Sequence, residues 1–216
     1  MRKITDIYEE YKIMPHLQMH QLRVAAITVI ICDSLDIDID KDTIIKASLI
    51  HDMGNVIKFD LSQTKSIFGL PDSEIEDIKN IQGEFIEKYG QDEHTATSLI
   101  ASELSMSDSV IHLVSENRFS NLCIDKDGDD WKLKILHYSD GRVGPHGILS
   151  FDERMQDAGK RYENHSLSID KKEHDRLVDC GKDIEKQIFA HSKIKPEDIT
   201  DESVAGIIEE LKNFEI

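Results

Sequence analysis

Residues 47–55, ASLIHDMGN, set an imidazole and a carboxylate side by side at the end of an apolar run. Burying such groups without partners costs about 2–7 kcal/mol for the polar group alone, so something is expected to meet them. Three further positions place metal-capable side chains in apolar helical frames: His20 in MHQLRVAA, Asp140 in ILHYSDGRVG and His94 in DEHTATSLIA. Imidazoles mixed with carboxylates suit Mn, Fe, Co, Ni or Zn better than Ca, which prefers oxygen alone. Adjacent helical residues point about 100° apart, so His51 and Asp52 share one ion only if it sits near the helix end. Gly54 lets the backbone turn away there as a C-terminal cap, and residues 55–71 read as an irregular cover over the opening.

Ligands on separate helices converge only in a bundle, and the chain reads as one. Pro15 is placed to start a helix whose Leu22, Ala25, Ala26, Val29 and Ile30 share a face. DKDTIIKASLIHDMGN opens on acidic residues that suit a helix N-terminus. Residues 73–89 form a helix stopped by Gly90, and two shorter helices meet near Met106. SNLCIDKDGD, 120–129, reads as a loop, and the segment from Trp131 resumes a helix that leaves through GPHGILS. Charged helices follow near 150–163 and 170–191, and an amphipathic one closes the chain. The expectation is an all-α fold, with a helical domain over 1–155 and a helical extension over 156–216 packed on it or continuing it. The terminal helix, 201–214, packs either on the core or on a second copy as a homodimer contact.

The 216 residues are 39% hydrophobic and 32% charged, enough to bury a core, and scarce Pro, Gly and aromatics argue against a strand-rich sandwich. A formal net charge of −17 repels phosphate backbones and anionic lipid, so neither nucleic-acid polymer nor membrane is an expected partner. Cys32, Cys123 and Cys180 lie far apart with no CxxC pair and read as reduced, mostly buried thiols. The start has acidic residues where a signal peptide needs an apolar stretch, and VAAITVIIC is too short to span a bilayer. A cytoplasmic protein is expected.

In order along the chain, HQLRVA from His20, LIHDMGN, EHTATSLIASEL and HYSDGRVGPHG resemble the HD superfamily of metal-dependent phosphohydrolases, whose signature is H…HD…D on a helical bundle. The likeness runs from about residue 14 to 155. It implies that His20, His51, Asp52 and Asp140 bind one divalent transition metal ion. Two-metal members add histidines from the middle helices; His94 matches the first, while the second falls near Glu116 and Asn117, so a single metal is expected with His94 facing the substrate. The position after HDxG, often Lys in the family, is Asn55.

The implied reaction is hydrolysis of a small phosphorylated substrate, with a nucleotide phosphomonoester first. A phosphodiesterase or pyrophosphohydrolase on dinucleoside or cyclic nucleotides, and a non-catalytic metal- or nucleotide-binding module, are the alternatives. A divalent ion brings the pKa of its water towards about 7, and Asp52 is the residue expected to orient that water or take its proton. Arg23, three residues beyond His20 on the same helical face, is a phosphate contact, with Arg142 and Lys58 beside it in that role. His137, one turn before Asp140, reads as a buried, satisfied histidine. His16, His112, His146, His165, His174 and His191 show no partner pattern. DKDGDDW fails as a calcium loop, because its sixth position is Asp130 and its twelfth Leu136.

Overall fold

A computed structural model describes residues 2–162 and 170–216, the side chains of 161 and 162 excepted. His165 and the end of the expected helix over 150–163 lie outside the described residues. Within them the fold is all-α, with only isolated β-bridges.

Helix α1 (Ile4–Glu10) leads into α2 (Pro15–Ser34), where Pro15 takes the first helical position. Val24, Ala25, Ala26, Ile27, Thr28 and Ile31 of α2 are all buried, so apolar residues surround this helix instead of marking one stripe. It is the central post, packed by α3 (Lys41–Ile50), α9 (Trp131–Asp140) and α12 (Asp201–Leu211). Between α3 and α9 run α4 (Leu61–Phe68), α5 (Asp72–Tyr89), α6 (Glu93–Glu103), α7 (Asp108–Glu116) and α8 (Leu122–Asp127). After α9 come α10 (Phe151–Tyr162) and α11 (Lys171–Ala190).

Caps set most boundaries. The Asp40, Asp92 and Asp130 side chains accept from backbone N–H groups two or three residues on, fixing the starts of α3, α6 and α9. Gly69 and Gly90 take positive φ to end α4 and α5. Two expectations change here. The cover over 55–71 is largely helical: a 3₁₀ turn at Asn55–Lys58 followed by α4, which Asp60 caps. The expected loop at 120–129 contains α8, whose charged letters hide a turn that buries Leu122 and Asp125.

The C-terminal helices share the same core. Leu177, Ile184 and Ile188 of α11 and Val204, Ile208 and Leu211 of α12 are buried with the residues of α2, α3 and α9. The two chain ends pair, Arg2 N–H to Ile216 O and Ile216 N–H to Arg2 O, each at 2.9 Å. The cysteine expectation is corrected: Cys123 and Cys180 form a disulfide joining α8 to α11, and Cys32 alone is a free thiol. Their 57-residue separation is closed by packing of two helices that no spacing rule pairs. Among the described residues no helix is long and apolar enough to cross a membrane.

Candidate metal centre

Three helices are locked together by buried hydroxyls. Thr28 of α2 meets Ser48 of α3 at 2.9 Å and donates to Ser139 of α9 at 3.2 Å. Inside a core such bonds hold both register and rotation, since breaking one strands a buried polar group. Ser139 precedes Asp140, and Ser48 lies one turn before His51, so the same contacts aim the residues of interest.

His51 caps the C-terminal end of α3, Asp52 follows it, Asp140 ends α9, and His20 projects from the first half of α2. Their donor atoms converge. His20 Nε2 is 3.1 Å from Asp140 Oδ1, 3.3 Å from His51 Nε2 and 3.4 Å from Asp52 Oδ2. His51 Nε2 is 3.6 Å from both Asp52 Oδ1 and Asp140 Oδ1. Donors bound at about 2.0–2.2 Å to one ion stand about 2.9–3.6 Å apart, from octahedral to tetrahedral arrangements, so these spacings fit a single divalent ion. The C-termini of α3 and α9 both point their partial negative charge at the same place, which favours a cation.

The orientation of His51 supports the same conclusion. Its Nδ1–H donates to Ser48 O at 2.8 Å, which turns Nε2 towards the other donors, the nitrogen whose lone pair the deprotonated ring would offer a metal. Asp52 N–H donates to the buried Gln21 Oε1 at 3.3 Å. Burial pushes the His51 imidazole down, but Asp52 and Asp140 outweigh it and hold the pKa at about 9. Burial would raise the Asp140 carboxyl, yet hydrogen bonds from His20 and His51 hold it well below the usual carboxylate range. Without a cation a proton on His51 therefore offsets part of the negative charge of the two carboxylates.

The remaining expected residues divide. Lys58 pairs with Glu93 at 3.2 Å, and both border a cavity of about 1030 Å³ that also reaches Asp140 and Asn117. His94 stands beside Glu93 at 3.4 Å, held in its neutral form by burial and by Lys58 and Arg118, and is not one of the converging donors. Arg23 faces the C-terminal segment: its Nε is 3.6 Å from Asp201 Oδ1, and its NH2 donates to His146 O at 3.5 Å. Arg142 is a correction. Its guanidinium is buried and donates to the Leu149, Pro196 and Ile199 carbonyls and to the Tyr138 hydroxyl, so its donors are engaged away from the cavity.

Gly54 has a different reason from the one expected. Its φ of −84° is ordinary, so it is no left-handed cap. A Cβ there would stand 2.3 Å from Glu93 O and 2.8 Å from Thr97 Oγ1, so glycine is what lets α6 approach the ligand turn. Glu93, Gln21 and the Thr28–Ser48–Ser139 contacts escaped the sequence reading. The adjacency of Glu93 to His94 was the one available signal.

The HD domain profile matches residues 18–126, half of the chain. No curated protein and no solved structure matches. The match covers His20, His51 and Asp52 and stops before Asp140, which the helix packing brings beside the two histidines. A profile spanning half the chain, with its ligand positions gathered at one point, makes this protein a member of the HD domain family of metal-dependent phosphohydrolases.

Proposed function

We propose that this protein hydrolyses a small phosphorylated molecule, with a nucleotide phosphomonoester as the substrate class, using one divalent transition metal ion held by His20, His51, Asp52 and Asp140. The observation that carries the reading is the 3.1–3.6 Å spacing among the donor atoms of those side chains, with Asp140 on the wall of a large cavity. Such an ion, when bound, supplies Lewis-acid screening of phosphoryl oxygens and a water acidic enough to react near neutrality.

The chain's own groups supply the rest. Asp52 orients the attacking water and takes its proton. Lys58 meets phosphoryl oxygens from the cavity wall and offsets the adverse charge of the chain. His94 lines the approach as a neutral donor or acceptor. Arg23, tied to Asp201, contributes by holding α2 and α12 in place around His20. The cavity lies at the upper end of the roughly 300–1000 Å³ range of small-molecule sites, so a dinucleoside polyphosphate is the second reading, with cleavage of a pyrophosphate in place of a monoester.

The test combines metal analysis of purified protein with a panel of phosphomonoesters, diesters and dinucleoside polyphosphates. About one transition-metal ion per chain and metal-dependent phosphate release are expected, and Asp52→Ala removes both. Carefully handled protein that takes up no metal would sink the proposal. Full occupancy with no turnover of any panel member would favour a binding module.

A further inference from the structure

Helix α9 carries a second histidine one turn before Asp140. His137 is 6% exposed and borders the same cavity as Asp140. The Asp125 Oδ2 atom stands 2.6 Å from its Nδ1, an ion-pair contact between two buried side chains without the alignment of a hydrogen bond. On the other side of the ring, Nε2 is buried and finds no hydrogen-bond partner among the described residues. Leaving a buried polar atom without a partner costs about 1–3 kcal/mol. The satisfied histidine expected from the sequence is therefore satisfied on one side at most, and the ring's free nitrogen belongs to a side chain at the cavity wall.

The pair is held in place by more than its own contact. Asp125 lies on α8, two residues beyond Cys123, whose disulfide ties that helix to α11. Gln187 of α11 donates to Lys126 O at 3.1 Å and accepts from Lys134 of α9 at 2.7 Å. Helices α8, α9 and α11 thus form one unit that keeps Asp125 against His137. His137 and Asp140 are three residues apart on α9, about 4.5 Å of axial rise, so both side chains lie on the helix face that borders the cavity.

We propose that His137 donates a proton to the departing ester oxygen, with Asp125 as its positioning residue; this rests on the phosphohydrolase reading above. In the protonated ring both nitrogens are donors, Nδ1–H towards Asp125 and Nε2–H towards the ester oxygen. The water oxygen forms the new bond to phosphorus and loses a proton to Asp52. The bond from phosphorus to the ester oxygen breaks, its electron pair stays on that oxygen, and the oxygen takes the Nε2 proton to leave as an alcohol. Solvent then returns a proton to His137 and removes one from Asp52, so the cycle consumes one water and no other reactant.

The test compares two substrates: p-nitrophenyl phosphate, whose phenolate leaves without needing a proton, and a nucleoside 5′-monophosphate, whose alkoxide needs one. His137→Gln should lower kcat for the nucleotide by about 10²–10⁴-fold and for the p-nitrophenyl ester far less, with metal content unchanged. Across a series of aryl and alkyl phosphates, log kcat should depend more steeply on leaving-group pKa in the variant. Should His137→Gln not fold, Asp125→Asn is expected to give the same selective loss at smaller size. Equal loss on both substrates, or none, overturns the role of His137 and leaves the phosphohydrolase reading standing. Metal-loaded wild-type protein that hydrolyses neither overturns both.

Discussion

Gly54→Ala isolates the close approach of α6 to the ligand turn. The added methyl would meet Glu93 O at 2.3 Å, Thr97 Oγ1 at 2.8 Å and Ala96 Cβ at 2.9 Å, and two of these belong to groups that cannot rotate away. Reaching an ordinary contact of about 3.4 Å requires α6 to retreat by about 1 Å, a shift that overpacked cores resist at about 1–3 kcal/mol. The retreat also lengthens the 3.0 Å bond from Gly54 N–H to Thr97 Oγ1, losing about 0.5–1.5 kcal/mol more. Against this, alanine lowers the entropy of the unfolded chain and returns about 0.4–1 kcal/mol. The net loss is about 0.5–4 kcal/mol, centred near 2 kcal/mol, which is about 4–8 °C in Tm for a chain of this size. Gly83→Ala is the control: it sits within α5 with nothing near its Cβ, so the same change should raise Tm by about 1–4 °C. Thermal melts of both variants in chelator-treated buffer, where ligand linkage cannot mask the difference, decide the matter. If both shift in the same direction, the steric account of Gly54 is wrong.

Two further outcomes follow from the structure. His51 is held at about 9 without a cation, so binding must displace a proton below that pH, and apparent metal affinity should rise about tenfold per unit between pH 7 and 9 and flatten above. Calorimetry in buffers of different ionisation heat should count about one proton released per ion at pH 7.5; a count of zero contradicts the assignment. In the metal-free protein the same raised value stabilises folding below about pH 6.5, and that contribution is lost as pH climbs through about 9. The Cys123–Cys180 bond closes a loop of 57 residues, worth up to about 4 kcal/mol in the chain-entropy account. Reductant or Cys180→Ser should therefore lower Tm, whereas Cys32→Ser should leave the response to reductant intact; a melt indifferent to reductant would show the bond to be dispensable.

Much of the site is written in residue types. An HD pair at the end of an apolar helix, a histidine in an earlier helix and an aspartate in a later one are costly to bury apart, and gathering them removes that cost. Arg142 shows where such reading stops. It lies two residues beyond Asp140, past the helix end, where the chain turns and periodicity no longer tells which way a side chain points. Its guanidinium goes to carbonyls more than 50 residues away in sequence. Gly54 fails differently, because a glycine kept for positive φ and one kept for a close neighbour look alike until the neighbour is known. The disulfide and the Asp125–His137 contact depend on α8, which a run of charged and turn-forming letters hides.

The convergence of His20 and Asp140 also bears on the order in which the protein folds. More than half of the chain lies between them, and the loop-closure entropy of that separation is recovered only when α2, α3 and α9 have already packed. No local fragment can prefigure the donor set, since His51 and Asp52 alone do not make it. A cation added early in refolding thus has little to bind, while one added late clasps three distant parts of the chain and slows their separation. Its effect belongs to the unfolding rate, so chelation should shorten the lifetime of the native state while leaving the speed of its formation almost untouched.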